Sequence, residues 1–201
     1  MTNFWDERYG TAEYVYGVEP NDFLRAEAHR IPRGPVLCLA EGEGRNAVFL
    51  AGLGHQVTAV DLSLAGLRKA ERLAQRHGVT IEVIQADLAT FDLGGGCWSG
   101  IVEIFAHVPP AVRHHLHAQI PLALRAGGCL IHESYRPEQL ALGTGGPKEL
   151  PLLSTLAELR EQLNPLELVV AREANREIHE GRFHDGPSAT VQLVGIRRSG
   201  L

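Results

Sequence analysis

Val36-Leu37-Cys38-Leu39-Ala40-Glu41-Gly42-Glu43-Gly44-Arg45-Asn46-Ala47 carries the clearest structural signal in the chain. An apolar run of strand type enters a Gly-x-Gly turn, and Ala47-Val48-Phe49-Leu50-Ala51 behind it has helical composition. Strand, glycine turn and helix open a nucleotide-type α/β domain.

Working outward, the same alternation repeats. The first helix runs to about Leu53, and Gly54-His55 turns the chain into a second strand, Val57 to Val60, ending at Asp61. Ser63 is a good N-cap, and Leu64, Leu67, Ala70 and Ala74 make an apolar stripe at helical spacing. Lys69, Glu71, Arg72 and Arg76 fill the polar face, and Gly78 stops the helix. A third strand, Thr80 to Ala86, ends at Asp87, and a fourth, Ile101 to Phe105, ends near His107. Pro109-Pro110 starts a helix carrying Val112, Leu116, Ile120 and Leu124. Pro121 is expected to kink or split it, and Gly127-Gly128 to end it before a fifth strand, Cys129 to Glu133.

The rhythm then changes. Leu142 to Pro147 reads as a loop, and Thr155 with Glu158 forms a capping box for a short helix. Leu166 to Arg172 and Thr190 to Ile196 read as strands with only a polar connection between them, so they are expected to pair antiparallel. Upstream, Phe4, Trp5, Tyr9, Tyr14 and Tyr16 form an aromatic arm that either anchors on the body or lines a ligand site. Asn21 or Asp22 caps a helix that ends before Pro32. Five alternating strand–helix units and a late pair imply one open, mostly parallel, doubly wound sheet with an antiparallel edge.

Bulk properties narrow the function. The 201 residues suit one domain, and a net charge of −5 gives no reason to expect nucleic-acid binding. No apolar run approaches the ~20 residues of a membrane span, and the N-terminus lacks signal-peptide character. Cys38, Cys97 and Cys129 are widely spaced, which suits free thiols in a reducing cytoplasm. His114, His115 and His117 have a spacing that can hold an adventitious metal but read as a solvated helix face, so no metal is expected.

Ligands of such sheets bind beyond the strand ends where strand order reverses. Glu41, Asp61, Asp87 and His107 stand there. With Ser63 available as the cap, Asp61 is the expected partner of a ribose diol. Gly42 to Ala47 also fits the dinucleotide fingerprint Gly-x-Gly-x-x-Gly/Ala. Glu41 and Glu43 flank that turn, however, and each would cost on the order of a kcal/mol beside a diphosphate at ~4–6 Å. A phosphate-free cofactor with a ribose and positive groups fits better. S-adenosyl-L-methionine is such a molecule, with Arg45 to meet its carboxylate and Glu41 its ammonium.

The chain resembles a class I S-adenosylmethionine-dependent methyltransferase, most similar to the tellurite-resistance and thiopurine S-methyltransferase-like group. The resemblance spans nearly the whole chain. It rests on Phe4-Trp5-Asp6-Glu7-Arg8-Tyr9, Tyr16-Gly17, Pro20, Gly42 to Ala47, Gly54-His55, Val57 to Asp61, Ala86-Asp87-Leu88, Phe105 to Pro110 and Leu124 to Gly128. It implies a Rossmann-like seven-stranded sheet of order 3-2-1-4-5-7-6 with strand 7 antiparallel. It also implies that the turn after Ala40 holds the methionine end, including Gly42, Gly44, Arg45 and Asn46. Asp61 and Leu62 would meet the ribose, Asp87 and Leu88 the adenine, and Phe105 would border the same site. Residues 1–31, with Trp5, Arg8 and Tyr16, would close over the cofactor. The chain departs from the family where the first strand ends: Cys38 and Ala40 stand in place of an acid and a glycine, and Glu41 is the candidate substitute for the acid.

On the substrate side the candidates are His107, Glu133 and Tyr135. His107 is the best base by residue type, or else it caps the Pro-Pro helix start. The expected activity is in-line methyl transfer to a small-molecule nucleophile. The alternatives are a ligand-binding regulatory protein of the same fold and a nicotinamide-dependent oxidoreductase.

Overall fold

The computed structural model describes residues 4–199; Met1 to Asn3 of the expected arm lie outside them. Seven strands form one sheet: β1 (Pro35–Leu39), β2 (Gln56–Asp61), β3 (Glu82–Gln85), β4 (Trp98–Ile104), β5 (Leu124–Tyr135), β6 (Glu167–His179) and β7 (Asp185–Ile196). Their order is β3-β2-β1-β4-β5-β7-β6. The first five strands run parallel, and β7 is antiparallel to both β5 and β6. The doubly wound sheet with its antiparallel edge is the one expected from the sequence pattern, and the strand order is the one the family resemblance implied.

Both faces of the central strands are buried, which is why they read as unbroken apolar runs. Val36 and Cys38 face α2 (Asp22–Glu27), α3 (Arg45–Gly52) and α4 (Leu64–Arg76), against Leu24, Leu50 and Leu67. Leu37 and Leu39 face α5 (Pro110–Ala123) and α7 (Leu156–Gln162), against Leu116, Ile120 and Leu159. The helix signals act as read: the Ser63 hydroxyl accepts from Gly66 N, Asn21 accepts from Leu24 N, and Thr155 with Glu158 closes the capping box. The remaining helices are short, α1 (Phe4–Tyr9) and α6 (Gln139–Leu142).

Four local expectations are corrected. Helix α5 runs through Pro121 without splitting, because that proline lies in the last turn and forfeits only a bond back to His117. The chain enters β5 at Leu124, before the two glycines rather than after them. The late strands are 13 and 12 residues long, so most of the expected polar connection is hairpin, with a turn only over 180–184. The polar half of β6 is an edge strand, where alternation of exposed side chains hides the strand signal. Finally, Lys69 is buried at 2% exposure rather than solvated, for a reason given below.

Candidate cofactor and substrate site

The sheet order reverses between β1 and β4. The residue after β1, Ala40, and the residue after β4, Phe105, are the non-glycine residues with positive φ, at 49° and 53°, among those described. An L side chain in this region is strained, and a bulky one is a genuine outlier. The strain therefore lies on the two lips of the switch-point crevice.

On the β1 lip the turn is held by its own acids. The Glu41 carboxylate accepts from Asn46 N at 3.0 Å and Ala47 N at 2.8 Å, and so caps α3. It also lies against the Cys38 thiol, so a carboxylate stands beside the side chain that replaces the family acid. Burial raises the Glu41 pKa to about 7, despite the two N–H donors and the Arg45 charge. Asp61 spends one oxygen on Gly42 N and the other on Ser63 N, each at 2.8 Å, and burial raises its pKa. Gly42 and Gly44 have φ of 62° and 92°. A Cβ on Gly42 would meet the Tyr9 hydroxyl at 2.7 Å, and one on Gly44 would meet Ala70 at 2.4 Å.

Glu43 has a different role from the one its position suggests. Its carboxylate turns inward to Lys69 Nζ at 2.5 Å and accepts from Val15 N at 2.8 Å and Tyr16 N. This pair draws Lys69 into the interior and clamps the arm onto the turn. The charge expected to repel a diphosphate is thus neutralised by Lys69, and the carboxylates left to oppose a dinucleotide are Glu41 and Asp61.

Arg45 pairs through Nη2 with Glu180 at 2.7 Å, while its Nη1 is buried with no partner. Asn46 accepts from Asn21 N at 2.9 Å. Two elements converge above the strand ends. From the arm, Arg8 donates to the Tyr16 hydroxyl at 2.9 Å and lies over Phe183 at 4.4 Å, while Trp5 stacks on Tyr9 at 5.6 Å. From the β6–β7 turn come Glu180, Phe183 and His184. Asp87 and Leu88 follow β3: Asp87 is exposed, with its carboxylate on Ala89 N, and Leu88 is buried. Leu62 is exposed at the end of β2.

The β4 lip is a ring cluster. Phe105 stacks on Tyr135 with centroids 4.6 Å apart and meets His184 at 4.8 Å; His107 stacks on Tyr135 at 5.4 Å; Tyr16 meets His184 at 4.6 Å. Burial pushes the His107 pKa down to about 3, so its imidazole is neutral, and its Nε2 is buried without a partner. Burial pushes the Tyr135 hydroxyl well above the ordinary phenol range. Glu133 is on the opposite side of β5 from His132 and is saturated by donors: Arg176 Nε and Nη2, Asn21 Nδ2 and Gln192 Nε2, at 2.7–3.0 Å. The structure therefore brings His107 and Tyr135 together with Phe105 and Tyr16, and locks Glu133 in a structural hub. Sequence reading missed Phe183 and Glu180, whose approach to the site beside His184 depends on the length of the hairpin.

Residues 36–128 match the family profile of a methyltransferase domain. No curated protein matches the chain in sequence. Among solved structures, it is similar to a protein from the conversion of a disulfide bond into a thioacetal group during echinomycin biosynthesis. That pair has 16% identity and a TM-score of 0.76, covering 98% of this chain and 89% of the other. It is also similar to a SAM-dependent methyltransferase of Methanosarcina mazei, at 18% identity and TM-score 0.67, covering 85% of this chain and 96% of the other. TehB of Haemophilus influenzae has 16% identity and TM-score 0.67, over 98% of this chain and 66% of TehB. At these identities the likeness establishes the fold. Among the described residues, no helix is long and apolar enough to cross a membrane.

The residues at the crevice fit a cofactor that joins an ammonium, a sulfonium and a carboxylate. Carboxylates line the β1 lip, and Arg45 Nη1 is a buried donor with no protein acceptor. An unfilled buried donor costs ~1–3 kcal/mol unless a partner arrives.

Proposed function

We propose that this protein transfers a methyl group to a small, soft nucleophile such as a thiol or a metalloid anion, as in the tellurite-resistance and thiopurine S-methyltransferase-like group. The observation that carries the reading is the orphaned Arg45 Nη1 beside the glycine turn of the segment that matches a methyltransferase-domain profile, where the carboxylate of S-adenosylmethionine would sit. Arg45 takes the carboxylate of the cofactor and Glu41 its ammonium. Asp61, held in place by Gly42 and Ser63 N–H groups, has lone pairs left to accept from the ribose hydroxyls. Gly42, Gly44 and Asn46 shape the turn, Leu62, Asp87 and Leu88 border the nucleoside, and Trp5, Arg8 and Tyr16 cover it, so residues 1–31 act as the closing arm of one domain.

The bound cofactor supplies a methyl carbon already activated by the sulfonium. What the chain must add is alignment of the acceptor and exclusion of water. Phe105, Tyr135, Tyr16 and His184 supply an apolar wall of rings. His107 Nε2 is a free neutral acceptor for a hydrogen bond, but a group whose pKa is near 3 is a weak base. A nucleophile ionised at neutral pH needs no stronger one.

Titration calorimetry with S-adenosylmethionine, its demethylated product and NAD tests the cofactor reading. Both adenosyl compounds bind, NAD does not, and Asp61→Ala removes binding. Binding of NAD alone overturns the reading. A labelled-methyl screen over thiols, metalloid anions, amines and carboxylates then tests the acceptor class. Transfer only to amines would refute the soft-nucleophile proposal, and cofactor binding without any transfer would favour a regulatory protein.

A further inference from the structure

Beneath the ring cluster, on the α5 side of the sheet, lies a group that methyl transfer does not use. Glu103 on β4, His132 on the paired position of β5 and His117 on α5 are each at most 2% exposed. Their ligand atoms all lie within 4.8 Å of one another. One oxygen of Glu103 faces both His117 Nε2 at 3.0 Å and His132 Nδ1 at 2.8 Å. The second oxygen, Oε1, is buried with no partner.

The outer nitrogens are also engaged. His117 Nδ1 lies 2.6 Å from Gln162 Oε1 on α7, and His132 Nε2 lies 2.9 Å from Ser134 Oγ. An amide oxygen only accepts, so His117 Nδ1 carries a hydrogen. A neutral His117 then turns a bare lone pair toward a carboxylate oxygen. Two acceptors face each other at hydrogen-bond distance, and something positive has to lie between them. A reversed Gln162 amide would relieve His117 but would still leave Glu103 Oε1 orphaned.

We propose that Glu103, His117 and His132 form a buried site for one divalent transition-metal ion, with zinc as the representative occupant. Two imidazole nitrogens and a carboxylate are a donor set of this chemistry. Glu103 Oε1 supplies a fourth ligand by bidentate binding. Tetrahedral bonds of ~2.0–2.1 Å separate ligand atoms by roughly 3.4 Å, so each ring would draw back from the shared carboxylate oxygen by a few tenths of an ångström, and ligand atoms now up to 4.8 Å apart would close toward the same spacing. Gln162 and Ser134 supply the outer hydrogen bonds that fix ring orientation. The ion replaces the proton of an imidazolium: one metal enters, and about one proton leaves. The bound ion ties β4, β5, α5 and α7 together two residues from Ser134-Tyr135, so it stiffens the floor under the substrate side.

The test is independent of methyl transfer. Chelator-treated, full-length protein is titrated with zinc in two buffers of different ionisation enthalpy, and with cobalt(II) followed by visible absorption. One ion per chain, release of about one proton and a tetrahedral cobalt spectrum are expected. Glu103→Gln and His132→Asn, checked for folding by circular dichroism, weaken zinc binding at least tenfold. His114→Ala/His115→Ala, which alters only the exposed neighbours, leaves it unchanged. Absence of cobalt absorption in folded protein overturns the proposal. So does binding that survives Glu103→Gln or that disappears with His114 and His115.

Discussion

Glu103 and Glu133 stand one residue out of register on adjacent strands, on opposite faces of the sheet, and both are fully buried. Their surroundings differ in kind. Glu133 receives two N–H groups of Arg176 and the amides of Asn21 and Gln192, all of them obligate donors. Glu103 receives two histidines on one oxygen and nothing on the other. A buried carboxylate surrounded by donors of fixed charge is a lock. One surrounded by imidazoles, which give or accept according to their protonation, is a receptor for a cation. The difference teaches that burial alone does not say what an acid is for; the inventory of donors does.

Breaking the lock should have the largest effect. Glu133→Ala strands Arg176 and two amides, and removing one partner of a buried pair costs ~3–5 kcal/mol. A drop in the urea midpoint checks this, and an unchanged midpoint would show that the hub is idle. A second acid, Glu41, sharpens the comparison because it should move the other way. Its pKa is raised from 4.5 to about 7, so the folded state favours the protonated form. Its ionisation therefore subtracts stability as pH rises from 4.5 towards 7, and the loss is complete above that. Glu41→Gln is expected to stabilise the cofactor-free protein by roughly 2–3 kcal/mol at pH 8 and by nothing below pH 4.5. Thermal melts at the two pH values decide it, while calorimetry should show weaker S-adenosylmethionine binding.

On the other face, Glu103→Gln should cost metal-free protein about 1–2 kcal/mol at pH 7, less than Glu133→Ala, because both histidines keep their partners Gln162 and Ser134. The two histidines hold the Glu103 carboxyl below its ordinary value of 4.5. That stability is present above 4.5 and is lost as pH falls through the lower folded value, so the gap between variant and parent closes in acid. The smallest effect is indirect. Thr155→Ala opens the capping box of α7, the helix that carries Gln162. About 1 kcal/mol is expected. Amide exchange should quicken in α7 and leave the Glu133 side unchanged; equal change on both faces would refute the separation.

Much of this was legible in the chain. The parallel strands announced themselves as apolar runs because both faces are covered, and the Ser63, Asn21 and Thr155 caps because they act within a few residues. The candidate cofactor residues were legible as a glycine turn with acids at strand ends. His117 was misread as solvated. The usable signal was its place in the stripe Arg113, Leu116, His117 and Ile120, all buried, at helical spacing. Lys69 carried no such signal, since only contact with Glu43, 26 residues away, explains its burial.

By itself the sequence determined the alternation of strands and helices, the antiparallel close and the position of the glycine turn. Those features rest on periodicity, turn chemistry and chirality, which act locally or apply to every chain of this pattern. Only the tertiary structure decided what each acid faces. Glu41 caps α3, Glu43 clamps the arm, Glu133 locks the hairpin, and Glu103 meets two histidines. The charge on a buried carboxylate is set by the donors that surround it, and those come from elements far apart in the chain.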